Sequence, residues 1–221
     1  MSNTVMRTPF KLALAMVFIA GSAGVQAGLQ DGITAYQKSN YPAALKELRP
    51  LADNGDAKAQ ALLGEIYNSG KGVPQDNKEA ASWYRKAAER GDAGAQASLG
   101  MMYENGIGVP QDGKKAVSWY HKAAEQGHAE AQYILGGLYK KGQGALQMDL
   151  VQAYKWFNLA VATGFEIAQD DMEEVEAMMS GEQIEKAKLM AKEWLANLLT
   201  TLRSSAPILR RRNGHINFLA I

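Results

Sequence analysis

The sequence predicts an all-α protein, an α/α solenoid of about five helical hairpins. Three stretches of the chain are near copies of one another at intervals of about 36 residues, and periods of about 20–50 residues are typical of stacked-repeat proteins. Each copy holds two segments whose apolar residues recur at helical spacing, joined by a glycine-rich turn. The clearest shared positions are Ala59-Gln60, Ala95-Gln96 and Ala131-Gln132.

Residues 1–27 are predicted to be a signal peptide. Arg7 and Lys11 precede an apolar run over 12–20, and Val25-Gln26-Ala27 supplies small residues for cleavage after Ala27. The apolar run is shorter than the stretch of about 20 residues that a bilayer requires. We therefore expect an exported protein with no stable membrane span in its mature form. Retention of the signal as an uncleaved anchor is the alternative.

The regular copies are predicted to lie between degenerate hairpins. Ser180 and Gln183 are expected to cap the last helix, from about Gly181 to Leu199. The segment that follows this array carries Arg210-Arg211-Arg212 and is predicted to be a disordered basic tail. The predicted ranges are 28–55 for the N-terminal degenerate hairpin, 56–91, 92–127 and 128–164 for the three copies, 165–200 for the C-terminal capping hairpin and 201–221 for the tail.

The first regular copy shows how a hairpin is specified. Asp56 is expected to cap its first helix, and Gly70 to end that helix in the left-handed conformation. Asp76 and Glu79 have the spacing of a capping box for the second helix. The third copy is less regular, because His128 replaces the capping aspartate and its turn is one residue longer.

Three sets of recurring positions are predicted to be structural. Glycine inside a helix costs about 1 kcal/mol relative to alanine, so its recurrence predicts a close approach between helices. A recurring tryptophan is expected to fill each junction between hairpins, so that Trp119→Ala would cost about 3–5 kcal/mol. The Gly-x-Gly pairs predict turns rather than phosphate loops, because no strand precedes them. The positions are Gly64, Gly100 and Gly136; Trp83, Trp119 and Trp156; and Gly72, Gly108 and Gly144.

Composition argues against several kinds of chemistry. The chain has no cysteine, which removes disulfides, thiolate nucleophiles and sulfur-ligated metals. The signal and the tail hold six of the 24 basic residues and none of the 23 acidic ones, so the body carries a net charge of −5. An acidic body disfavours nucleic-acid binding, which needs a basic face.

The repeated pattern resembles the Sel1-like repeat family, a relative of the tetratricopeptide repeats. The resemblance rests on Ala-Gln…Leu-Gly…Tyr…Gly-x-Gly-Val-Pro-Gln-Asp…Ala…Trp-Tyr-x-Lys-Ala-Ala…Gly, almost complete at 59–91 and 95–127. It covers roughly 28–200 and implies a right-handed solenoid whose concave wall is made by the first helix of each hairpin. It also implies an adaptor, scaffold or regulatory protein of the bacterial envelope or of signal transduction. Cysteine-stapled members have been linked to β-lactam hydrolysis, but this chain lacks the cysteines.

A binding surface is predicted where the copies differ from one another on the first helices. We expect this surface to hold a protein or peptide partner, without a cofactor, a metal or a catalytic residue. Met101 and Tyr133 are the expected apolar anchors, and core filling is the alternative for the adjacent pair Met101-Met102. The predicted contacts are Lys58, Ala61, Glu65 and Asn68; Gly94, Ala97, Met101 and Glu104; and Glu130, Tyr133, Gly137 and Lys140.

Two other classes of function are compatible with the pattern. One is a cell-wall or β-lactam hydrolase, which the lack of any nucleophile–base motif disfavours. The other is a self-associating structural scaffold. The histidines His121, His128 and His215 do not form a zinc motif and are expected to be exposed or to cap helices.

Overall fold

The computed structural model describes residues 27–205, and within this range the chain forms ten helices and no strand. The predicted all-α class is therefore confirmed. The predicted signal peptide, apart from Ala27, and residues 206–221 of the predicted tail lie outside the described residues. In the described range, none of the helices combines the length and apolar character needed to cross a bilayer. The chain divides into two compact units, 1–87 and 88–221, which are described separately.

The first unit contains the front hairpin and most of the first regular copy. Helices α2 and α3 pack against each other. Its core joins the buried faces of these helices to Trp83 of α4, and the last two residues of α4 belong to the second unit. The helices are α1 (27–37), α2 (Tyr41–Asp53), α3 (Ala57–Ser69) and α4 (Asn77–Glu89).

In its described residues the second unit holds six helices; the first five pack in chain order, each against the next, and the sixth returns to pack on the fourth. This helix runs to Ser205, past the predicted end at Leu199, so the first five residues of the predicted tail are helical. No glycine or proline interrupts the chain between Leu199 and Ser205, which explains the continuation. The helices are α5 (Ala93–Asn105), α6 (Gly113–Glu125), α7 (Ala129–Lys141), α8 (Leu150–Ala162), α9 (Ala168–Ala177) and α10 (Gly181–Ser205).

Helix starts follow the predicted caps. The Asp56 and Asp92 carboxylates each accept a hydrogen bond of 2.8 Å from the backbone N–H three residues later. His128 does the same through Nδ1 at 3.3 Å, a longer bond that fits its expected weakness as a cap. Ser180 and Gln183 form the predicted reciprocal box, with bonds of 3.3 and 2.9 Å.

The capping box predicted for Asp76 and Glu79 is only half formed. Asp76 accepts from the N–H groups of Lys78 and Glu79, but its own N–H donates to the Tyr67 carbonyl at 3.0 Å. The Glu79 carboxylate instead accepts from the indole N–H of Trp83 at 2.9 Å. The turn returns the backbone of Asp76 to the first helix of the hairpin, so its N–H needs no side-chain acceptor.

A glycine in each first helix lies under an aromatic ring from the second helix of the same hairpin. A Cβ added at Gly64 would lie 2.6 Å from a ring carbon of Tyr84, and one at Gly100 would lie 2.8 Å from Tyr120. In the third copy the distance from Gly136 to a ring carbon of Phe157 would be 2.5 Å. Real Cβ atoms do not approach carbon this closely, so only glycine fits beneath the ring.

In the second and third copies, the fully buried aromatic of the second helix follows the tryptophan in sequence. Tyr120 and Phe157 are 0% and 1% exposed, whereas Trp119 is only half-buried, with the Lys122 ammonium 3.9 Å from its ring centre. The expectation that every tryptophan fills a junction is therefore wrong at Trp119, although Trp83 and Trp156 are buried. Adjacent helical residues point about 100° apart, so only one of the two aromatics faces the glycine.

The second glycine of the turn also has a steric role. Gly72 has a φ of +77°, and an added Cβ would collide with Cβ of Tyr41 at the start of α2. Gly144 has a φ of +65°, and its added Cβ would lie 2.8 Å from a methyl group of Val117 in α6. In both units the turn thus sits on the second helix of the preceding hairpin, and Gly108 has a similar φ of +68°.

Buried glutamines join successive hairpins. Each lies in the first turn of a first helix, is at most 4% exposed, and donates its amide to a carbonyl in the last turn of the preceding helix. This bond satisfies a helix-end acceptor that has no intrahelical partner. The bonds are Gln60 to Ala52 at 2.9 Å, Gln96 to Ala88 at 3.0 Å and Gln132 to Ala124 at 3.1 Å.

Two adjacent glycines of α7 offer a matched test of the glycine–aromatic contact. We expect Gly136→Ala to lower the free energy of unfolding by about 1–3 kcal/mol, because its methyl group collides with Phe157. Gly137→Ala should raise it by about 0.5–1 kcal/mol, because its methyl group meets no atom within 4 Å and alanine favours the helix. Urea unfolding of both variants measures the difference, and shifts of the same sign would contradict the contact.

The neighbouring aromatics of α6 offer a second test. We expect Tyr120→Ala to cost about 3–5 kcal/mol because it empties a fully buried site. Trp119→Ala should cost less, since that side chain is only half-buried. Thermal and urea unfolding compare the two variants. An equal or larger loss of unfolding free energy for Trp119→Ala would contradict the assignment of Tyr120 as the ring that faces the core.

Candidate functional site

The predicted contacts of the first unit lie along α3, and one of them is already engaged. Lys58 and Glu65 are exposed, while Ala61 and Asn68 are half-buried. Glu65 accepts a hydrogen bond from the hydroxyl of Tyr36 in α1. Burial and this bond raise the pKa of Tyr36 well above its usual range. Helix α1 therefore covers part of the predicted surface.

Helix α5 carries the most exposed of the large apolar side chains that were predicted to contact a partner. Met101 is 42% exposed, although most large apolar side chains of the second unit are buried. Gly94 is also exposed and Glu104 is half-buried, but Ala97 is only 7% exposed and cannot offer a binding surface as predicted. The exposed face of α5 thus presents Met101 and Glu104, which are three residues apart and lie on the same side of the helix.

The predicted contacts of α7 divide between open and covered positions. Glu130 is exposed, and Gly137 faces open space. Tyr133 and Lys140, in contrast, contact α9. The Tyr133 hydroxyl donates to Asp171 at 3.0 Å, and its ring lies 5.7 Å from that of Phe157 and 5.3 Å from that of Phe165, centre to centre.

Lys140 completes the contact between α7 and α9. Its ammonium lies 3.0 Å from Asp171 and 2.6 Å from Glu174. Although burial opposes the change, hydrogen bonds from Lys140 and Tyr133 lower the pKa of Asp171. The sequence analysis missed this cluster, because the capping hairpin departs from the repeat and gives no pattern to align. Tyr133 belongs to the packing of α9, and its contact with a partner stays a prediction.

A cleft of about 570 Å³ opens between the second and third copies. The second copy supplies Glu104 of α5, Gln111 of the turn, and Ala116 and Val117 of α6. The third copy supplies Leu138 of α7 and Gln143 of the following turn. The cleft therefore combines an apolar floor with one carboxylate and two amides, and the sequence analysis identified only its carboxylate.

Glu104 is the charged group of this cleft. One of its oxygens accepts a hydrogen bond of 2.7 Å from the hydroxyl of Tyr120, and its backbone carbonyl accepts from the Gln111 amide at 2.8 Å. Burial and the carboxylate together raise the pKa of Tyr120 far above its usual range, so the hydroxyl stays a donor. Among the described residues, no lysine, arginine or histidine forms an ion pair with Glu104.

His121 does not have the exposed or capping role that the sequence predicted. It is half-buried in α6, and its ring centre lies 6.0 Å from that of Tyr139 and 5.7 Å from that of Trp156. Its Nε2 atom lies 3.2 Å from the Tyr139 hydroxyl. Within residues 27–205, no group of three or more His, Cys, Asp or Glu side chains is placed to hold a metal ion. His215 lies outside the described residues.

The environment of His121 predicts a pH dependence of stability. Burial lowers its pKa, the Lys155 charge acts in the same direction, and Glu125 opposes them. Because the folded pKa lies below the ordinary value of 6.5, the unfolded chain binds the proton more readily as the pH falls. The contribution of neutral His121 to the free energy of unfolding is therefore complete above pH 6.5. It is lost as the pH falls through the pKa that His121 has in the folded protein.

We expect unfolding experiments between pH 7 and pH 5 to show a loss of stability that His121→Gln reduces. The His121 contribution to the slope is at most about 1.4 kcal/mol per pH unit, the value for one proton. Every other titratable group remains in the variant, so the variant itself supplies the background slope. Identical slopes for the two proteins would exclude His121 as the source.

Comparisons with known proteins agree with this architecture. A family model described as Sel1 repeat matches residues 57–92, 93–128 and 129–164. No curated protein sequence matches the chain significantly. Sel1-repeat proteins are in general helical scaffolds for protein interaction.

Two crystal structures show similarity over much of the chain. A Sel1 repeat protein from Oxalobacter formigenes is 37% identical with a TM-score of 0.63, and the match covers 66% of this chain and 57% of that one. A protective antigen present in uropathogenic Escherichia coli strains, displaying an SLR fold, is 28% identical with a TM-score of 0.72 and coverages of 91% and 44%. The chain thus spans about half the length of these proteins. The three matched copies and these structural relatives show that residues 57–164 of this chain are Sel1 repeats.

Proposed function

We propose that this chain is an exported, non-catalytic scaffold that binds a protein or peptide partner through the first helices of its repeats. The observation that carries the proposal is the exposure of Met101 in the middle of α5. The equivalent residues of the other copies are Glu65 and Gly137, so the repeat itself does not require an apolar side chain here. A flexible thioether side chain adapts well to a partner surface.

The first helices differ in how much of their surface other helices cover. This difference supports α5 and the exposed part of α7 as the binding surface. Asp171 and Glu174 engage Tyr133 and Lys140, so α9 covers this part of α7. No comparable cover over Met101 is formed by the residues that the structure describes, and its side chain stays 42% exposed. The partner is therefore expected on α5, on Gly137 and at the adjoining cleft.

Export is supported by the sequence of residues 1–27. A basic start, an apolar run and small residues before Gly28 are the features that signal peptidases recognise. The absence of cysteine means that the fold relies on packing and not on disulfides in an oxidising compartment. We place the mature protein in the periplasm, where its partner would be a component of the envelope.

A site-specific photocrosslink tests this surface. The photoreactive amino acid p-benzoylphenylalanine replaces Met101 in one variant and Ser118, an exposed residue of α6, in the control. After irradiation of intact cells, we expect a crosslinked protein from position 101 and none from position 118. The intact mass of the purified protein should equal that of a chain that begins at Gly28.

Additional variants sharpen the result. Met101→Asp should reduce co-purification of the crosslinked partner at least tenfold, because it places a charge in an apolar contact, while Ser118→Asp should leave it unchanged. Equal crosslinking at both positions, or co-purification that survives Met101→Asp, would remove α5 as the binding surface.

A further inference from the structure

We propose that the cleft between the second and third copies selects a lysine or arginine side chain from an extended segment of the partner, with Glu104 as its counter-ion. This inference rests on the proposed function, because it states the chemistry of the partner at the same surface. It is argued from how Glu104 is held, from what the repeat requires, and from the other groups in the cleft.

The Glu104 carboxylate is fixed in place before any ligand arrives. One oxygen accepts from the Tyr120 hydroxyl at 2.7 Å, and Tyr120 is itself completely buried, so the donor cannot move away. The other oxygen has no hydrogen-bond partner among the described residues. A carboxylate with one oxygen anchored and one available forms strong, charge-assisted hydrogen bonds with cationic donors.

The fold does not need this carboxylate. The equivalent positions hold Asn68 in the first copy and Lys140 in the third. The ring that packs on Gly136 in the third copy is Phe157, which has no hydroxyl group to offer. The pair of Tyr120 and Glu104 is therefore a property of the second copy alone, unlike the glycine–aromatic contact that all three copies share.

The remaining lining suits a long basic side chain. Val117 and Leu138 supply apolar surface for the methylene groups of lysine or arginine, whose charged end then reaches Glu104. Gln111 and Gln143 place amides at the same cleft, where they can bond to the peptide groups of the segment. The volume of about 570 Å³ lies within the range of about 300–1,000 Å³ usual for ligand clefts.

Charge also favours a basic ligand. The body of the protein carries a net charge of −5, which attracts cationic segments. Two lysines of the second and third copies are already engaged in ion pairs: Lys140 is paired with Asp171 and Glu174, and Lys115 lies 3.2 Å from Asp112. Glu104 therefore faces the cleft without an internal competitor for its charge among the described residues.

Selection from a phage-displayed library of random heptapeptides tests the inference on the purified full-length mature chain. We expect the selected peptides to share one lysine or arginine beside an aliphatic residue. Glu104→Gln keeps an acceptor for Tyr120 but removes the charge, and should abolish this enrichment and weaken the best peptide about tenfold. Glu104→Lys should favour aspartate or glutamate instead. Glu182→Gln, which removes an exposed charge at the start of α10, should behave as the wild type.

Each other outcome has a defined meaning. Enrichment of basic residues that persists in Glu104→Gln, or no enrichment at all, would overturn the cleft assignment. If peptides are selected only after Arg210, Arg211 and Arg212 are all replaced by glutamine, the chain's own basic segment fills the cleft and the partner assignment fails. The photocrosslink at Met101 does not depend on Glu104, so the proposed function can stand when the cleft proposal fails.

Discussion

The contact between a helix glycine and an aromatic ring is the constraint on which each of the three regular hairpins depends. Where Gly100 meets Tyr120, the absence of one Cβ lets the two helices approach until the ring lies on the backbone. The aromatic side chain then loses all contact with water, which supplies much of the apolar burial of a hairpin whose helices have only 13 residues each. The caps and turns set where these helices begin and end, but this contact sets how close they come.

Patterns that recur once per copy made most of the fold predictable from sequence. The caps at Asp56 and Asp92 and the left-handed glycines follow from local chemistry that any hairpin of this kind must satisfy. The choice between adjacent aromatics did not follow, because Trp119 and Tyr120 both lie on the apolar stripe and only the packed partner helix distinguishes them. The carboxylate of Glu79 was assigned to a cap for a related reason: its bond to Trp83 depends on a side-chain direction that spacing alone does not define.

The candidate site was less predictable than the fold because its contacts do not repeat. Comparing copies singled out Met101 and Glu104 as positions that the repeat does not prescribe, and their role in binding stays a prediction. The same comparison could not show that Tyr133 and Lys140 are held by α9, since Asp171 and Glu174 lie in a hairpin with no aligned counterpart. A terminal unit that closes the array thus also decides which of the earlier positions remain available for another molecule.

The glutamine bond between hairpins has a consequence for how such chains change in length. Its donor and its acceptor each occur once per copy, so a duplicated segment 92–127 would present its own glutamine to the carbonyl of Ala124 and its own carbonyl to Gln132. Duplication or loss of a whole copy thus leaves each of these glutamine donors with an acceptor, whereas a partial insertion leaves a buried donor unmatched. Recombination within the gene would therefore be tolerated when it adds or removes whole copies. The number of copies can then vary between lineages without changes to the buried residues.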